Sequence, residues 1–180
     1  MKRIILFLAV CVLSLVSYAQ GIVSDQTQSD GTRNIICHIV DVNDPTDDVK
    51  LGVSVGANVM RGTTYYMLIV NQRNKSPFTI DEGMKLLLKD MNGDVTTLEV
   101  MEVVDVSYNN DDYFSQTPIY SITESQLNNL SKGVMKIRQE FYGGFYDKEF
   151  KNDKIGWVIS KEYAQIKEAL KTSKNIYSDF

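Results

Sequence analysis

From Asn34 onward, apolar residues fall in short runs rich in β-branched and aromatic side chains. Clusters of Gly, Asp, Asn and Ser separate them. That spacing predicts antiparallel strands over 34–42, 51–59, 63–71, 83–89, 95–108, 113–121 and 134–142. Only three prolines occur and no internal repeat is visible. The pattern describes one mainly β (α+β) domain, an antiparallel sandwich or roll, rather than a series of βαβ units. The run TTYYMLIVN (63–71) is apolar at both parities, which places it centrally and covered on both faces.

One hairpin can be registered by side-chain parity. GMKLLLKD and DVTTLEV flank the turn at 90–94. With Lys89 opposite Val95, the pairs Met84–Val100, Leu86–Leu98 and Leu88–Thr96 share the buried face, and Lys85 meets Glu99 on the other. A two-residue Asn92-Gly93 turn would set Leu86 against Glu99, a carboxylate in the apolar row, and is rejected.

Two helices are signalled. In ITESQLNNLSKG, Thr123 is an N-cap, Gln126 completes a capping box, and Ile122 and Leu127 occupy the staple positions. Gly133 is placed to end that helix in the left-handed conformation. Ile155, Ile159, Tyr163, Ile166 and Leu170 draw one apolar stripe, predicting a helix near 154–173 with Asn152 or Asp153 as its cap. Gly156 weakens its first turn, so 155–160 also reads as a last strand with the helix starting at Lys161.

The first residues follow a different pattern. Lys2 and Arg3 precede the apolar run from Ile4 to Val16, which is too short for a confident membrane span. Ser17-Tyr18-Ala19 then supplies small residues at the −3 and −1 positions. Residues 1–19 read as a signal peptide, with Gln20 as the mature N-terminus and no transmembrane span after cleavage. The polar, aperiodic stretch 20–33 reads as a flexible leader, and 34–180 as the single domain.

Export changes the charge. The 19 basic residues fall to 17 without Lys2 and Arg3, against 23 acidic ones, and the net charge moves from −4 to −6. No basic patch stands out, so nucleic acid and anionic membrane surfaces are poor partners. Of the two cysteines only Cys37 remains. No internal disulfide can form, and a core must supply the stability.

Few residues are placed for chemistry. His38, the only histidine, follows Cys37, but neighbours in a strand point to opposite faces and cannot form a nucleophile pair. One His and one Cys also exclude the common zinc sites. The loops DVNDPTDD (41–48) and NNDD (109–112) offer hard oxygen donors for calcium, yet neither has EF-hand spacing, and turns favour Asp and Asn for backbone reasons. No carboxylate pair is picked out by an apolar surround, and no hydrolase or phosphate-loop motif is present. No cofactor or metal is implied.

The remaining candidate is EFYGGFYDKEF (140–150), five aromatic rings around Gly143-Gly144. Two glycines with positive φ suit a two-residue hairpin turn. Centred there, Tyr142 opposes Phe145 on one face and Phe141 opposes Tyr146 on the other. The layout is explained by a structural hairpin. Phe141, Tyr142, Phe145 and Tyr146 are the candidate ligand-binding residues, because exposed planar rings stack on sugars or partner surfaces.

The stretches SPFTIDEGMKLLLKDMNGDVTTLEV (76–100) and YSITESQLNNLSKGVMKIRQEF (120–141) resemble small exported β-sandwich-like proteins of Bacteroidetes. The likeness lies in a strand, a Gly turn and a strand, then an I-T-x-x-Q-L helix leading into a G-V-x-K-I-R strand. It covers roughly half the mature chain, by the extent of those stretches. The resemblance implies a periplasmic or cell-surface domain and supplies no activity or site residue. The expected function is a non-enzymatic binding or interaction module whose partner is a protein or glycan of the cell envelope. The alternatives are a small carboxylate-based hydrolase acting on envelope or dietary glycans, and an inhibitor-like domain presenting a loop.

Overall fold

A computed structural model describes residues 21–44, 47–109 and 113–172. The expected signal segment and Gln20 lie outside the described residues. The strands are β1 Ile22–Thr27, β2 Arg33–Cys37, β3 Val40–Asp41, β4 Lys50–Met60, β5 Thr63–Asn74, β6 Lys85–Asp90, β7 Val95–Asn109, β8 Tyr113–Ile122, β9 Val134–Phe141 and β10 Gly144–Glu149. Helix α1, Glu124–Leu130, links β8 to β9, and α2, Ile155–Lys171, follows β10. All pairings are antiparallel, in the order β1-β2-β4-β5-β8-β7-β6-β9-β10, with β3 continuing beside β4 after β2 ends. The fold is the expected mainly β, α+β domain.

β5 is central, between β4 and β8, and Leu68, Ile69 and Val70 are buried although their side chains alternate in face. The 85–100 hairpin adopts the register that parity demands: Lys85 opposes Glu99, Leu86 opposes Leu98, Leu88 opposes Thr96 and Lys89 opposes Val95. Val100 N–H donates to Met84 O at 2.9 Å, extending it. Leu86, Leu88 and Leu98 are buried.

The start signal of α1 holds, whereas the N-cap position of α2 is Lys154, without a side-chain cap bond, rather than the expected Asn152 or Asp153. The Thr123 side chain accepts from Gln126 N–H and the Gln126 side chain accepts from Thr123 N–H, a complete capping box. Gly133 has φ +136°, beyond the end of α1. Residues 155–160 are helical, not strand, because Ile155, Val158, Ile159, Tyr163 and Ile166 all reach the core. Asp153 Oδ1 accepts from Gly156 N–H at 2.8 Å and from Val134 N–H at 3.0 Å, so one carboxylate serves the α2 start and the β9 start together.

The expectation of a flexible leader over 20–33 is overturned. Ile22–Thr27 form edge strand β1, paired with β2. The Asp25 carboxylate accepts two bonds from Arg33 at 2.8 and 2.9 Å, and Arg33 also donates to Ala169 O and Thr172 O at the end of α2. The domain therefore begins before residue 34. Main-chain bonds, one arginine and the packing of Ile22 on the core hold a strand that has no continuous apolar face.

The sheet curls into an open roll. Tyr120 of β8 donates its hydroxyl to the Gln139 side chain of β9, although β7 and β6 lie between them in the sheet. Lys148 of β10 reaches Asp47 and, at 3.4 Å, Val42 O, near the start of the sheet. Side chains thus bring the two ends together without a ladder between β1 and β10. The core fills the inside, and α2 lies against β4, β1, β2 and α1.

Candidate functional site

The β9–β10 turn is where the sequence-based pairing needs correction. Phe141 pairs with Gly144, Phe145 with Glu140 and Tyr146 with Gln139. The turn residues are Tyr142 and Gly143, not the two glycines. Gly143 has φ +92°, whereas Gly144 lies outside the positive-φ set and begins β10. One glycine at the third turn position is enough when the residue before it keeps negative φ.

This register separates the four candidate rings. Phe141 and Tyr146 are half-buried and pack on the core, and burial pushes the Tyr146 phenol up to about 12. Tyr142 at the tip is 79 % exposed and Phe145 on the outer face is 59 % exposed. The structure therefore leaves two exposed rings on this hairpin, not a four-ring platform.

Phe145 shares its face with a set of charges. The Arg138 guanidinium sits 5.4 Å from the Phe145 ring centroid and makes two 2.6 Å bonds to the Asp147 carboxylate. That partner holds Asp147 below the usual carboxylate range. Lys136 lies between Glu149 at 3.2 Å and Asp147 at 3.6 Å. Beyond them, Leu87, Lys89, Val95, Lys136 and Arg138 line a shallow hollow of about 230 Å³. Lys89 stands directly opposite Lys136 across β6 and β9, a like-charge pairing that the Asp147 and Glu149 carboxylates beside Lys136 offset.

A second feature lies beside α2. β2 ends at Cys37 and β3 starts at Val40, so the chain leaves β4 briefly at residues 38–39. The Val55 N–H would lose its partner there. Glu162 fills the gap: its Oε2 accepts from Val55 N–H at 2.7 Å, while the Ser54 hydroxyl beside it donates to Cys37 O at 2.8 Å. Glu162 is only 2 % exposed, and burial pushes its carboxyl up to about 7. It lines a cavity of about 150 Å³ with Gly21, His38, Val40, Trp157, Val158, Lys161 and Gln165. A glutamate in line with Val158 and Ile166 on the apolar stripe was the sequence signal for this site, and the stripe reading passed over it.

Cys37 and His38 separate as strand geometry requires. The Cys37 thiol is buried, pushed up to about 12 by burial, and lies 3.9 Å from Glu162 O, whereas His38 is exposed. The acidic loop near 41–48 is engaged by cations: Lys154 bonds Asp44 at 2.8 Å, Lys148 bonds Asp47, and Arg73 bonds Asp41 at 2.7 Å. Residues 45–46 of that loop, and 110–112 of the second, lie outside the described residues. No protein-family model, curated protein or solved structure matches the chain.

Proposed function

We propose that the protein is an exported, non-enzymatic binding module that engages a glycan or protein of the cell envelope through the outer face of β6, β9 and β10. The observation that carries this reading is the exposure of Tyr142 and Phe145 on a hairpin whose other rings are spent on the core. Large rings left in water are costly, and they offer flat apolar area to a sugar face or a partner side chain. Arg138, clamped by Asp147 and laid over Phe145, adds fixed donors beside that area. The expected signal peptide supports export, and the resemblance to small exported Bacteroidetes proteins supports an envelope setting: periplasm, outer-membrane surface or medium. Among the described residues no helix is long and apolar enough to cross a membrane.

The hydrolase reading needs two carboxylates flanking a cleft. The cavity that holds the raised carboxyl of Glu162 is lined by one carboxylate only. The test is a pull-down from native cell envelope, followed by a glycan array, with mature protein and with Tyr142→Ser/Phe145→Ser. Capture of an envelope component by the parent and its loss by the variant, at unchanged melting temperature, is expected. Equal capture by both proteins would overturn the assignment of this face.

A further inference from the structure

We propose that the cavity between α2 and the β2–β3 break binds a small organic ammonium ion, with the Glu162 carboxylate as its counter-ion. This site is independent of the outer sheet face.

The geometry supplies a charge without a matching cation. Glu162 is 2 % exposed, and its carboxylate accepts from one neutral donor, Val55 N–H. A buried carboxylate normally pairs with a positive group. The charged or titratable groups around it are few. Lys161, also on α2, lines the cavity with its ammonium 5.1 Å from the Trp157 ring centroid, above the indole. His38, in the β2–β3 link, is on the rim and exposed. Cys37, from β2, is neutral, its thiol raised to about 12 by burial. β4 contributes only the main chain of Val55, since the Ser54 hydroxyl donates to Cys37 O. Burial is the leading cause of the raised Glu162 carboxyl, and the Lys161 charge is the weakest of the opposing ones. The counter-charge is incomplete.

Size and lining define the ligand class. The cavity measures about 150 Å³, well above the ~10–15 Å³ that one water needs, so it admits a ligand of several heavy atoms. Val40, Val158 and Trp157 give apolar walls for a short carbon chain, and the Gln165 side chain lies among the lining. A primary ammonium on two or three carbons, with room for one hydroxyl, fits these limits. A trimethylated ammonium has no N–H to donate to the carboxylate.

The experiment is an amide NMR titration of the mature protein at pH 8 with ethanolammonium chloride. Ethylene glycol serves as the uncharged match and choline chloride as the cation without N–H donors. Saturable shifts at Cys37, His38, Val55 and Glu162 are expected with ethanolammonium alone. Glu162→Gln retains an oxygen for Val55 N–H, so it folds, and its affinity should fall at least about tenfold, as should that of the parent at pH 5, where the carboxyl is protonated. Equal responses to ethylene glycol, an undiminished affinity in Glu162→Gln, or no saturable shift with any probe would each overturn the proposal.

Discussion

Gly156 and Gly133 meet backbone to backbone: a Cβ added to Gly156 would stand 2.7 Å from the Cα of Gly133 and 2.8 Å from Asp153 Oδ1. The first turn of α2 is seated against the bend between α1 and β9. Helix propensity alone favours Ala over Gly by up to ~1 kcal/mol. The contact reverses that sign, because backbone rather than a flexible side chain must move. Gly156→Ala should destabilise the fold by roughly 1–3 kcal/mol, the range for overpacked sites. Urea midpoints check it, and a more stable Gly156→Ala would mean that α2 is not seated this closely.

Glu162 sets a pH dependence whose sign is fixed. Its folded carboxyl is raised from 4.5 to about 7, chiefly by burial. The folded state therefore holds this proton more tightly than the unfolded chain. The group's favourable contribution is complete below pH 4.5 and is lost as pH rises through 7. The span corresponds to on the order of 3 kcal/mol. Glu162→Gln removes the titration, so its stability relative to the parent should rise between pH 4.5 and pH 8. Denaturant melts of both proteins at several pH values measure the difference. Parallel curves would show that Glu162 does not titrate in that window.

The 85–100 hairpin gives a residue-by-residue test of packing. Leu86 and Leu98 face each other inside the roll, at 0 % and 4 % exposure, whereas Leu87 lines the outer hollow. Leu86→Ala and Leu98→Ala should each cost about 2–5 kcal/mol, and Leu87→Ala less. Chemical denaturation of the three variants decides it. Leu87 as the most costly site would place the strand one residue out of register.

The contrast between the two hairpins shows what the sequence can specify. For 85–100, the rival Asn-Gly register differs by one residue and turns Glu99 into the apolar row, so alternation decides. For 134–149, the Gly-Gly register differs from the observed one by two residues. Such a slip leaves every side chain on its own face: Phe141 and Tyr146 point inward in both. The hydrophobic pattern is blind to that choice, and turn geometry makes it. The leader was misread for a related reason. β1 is an edge strand of sequence IVSDQT, carried by main-chain bonds, the Arg33–Asp25 pair and Ile22 alone on the core, so no apolar alternation marks it. Glu162 was hidden because its role depends on a gap at residues 38–39 of a distant strand.

The turn itself can be tested at two adjacent glycines. Gly143 has φ +92° with nothing within 4 Å of an added Cβ, so any penalty there is purely one of backbone conformation. Gly144 has no such constraint, and an added Cβ would make ordinary contact with the Phe141 ring at 3.5 Å. Gly143→Ala should therefore cost roughly 1–2 kcal/mol, the penalty of a left-handed conformation. Gly144→Ala should be neutral or stabilising by up to about 1 kcal/mol, because it lowers the entropy of the unfolded chain. A type I′ turn centred on both glycines would require φ > 0 at each and penalise both substitutions. Urea midpoints of the two alanine variants separate these cases. Equal losses would restore the Gly-Gly turn, place Tyr142 opposite Phe145 in the ladder, and remove the exposed tip on which the binding face depends.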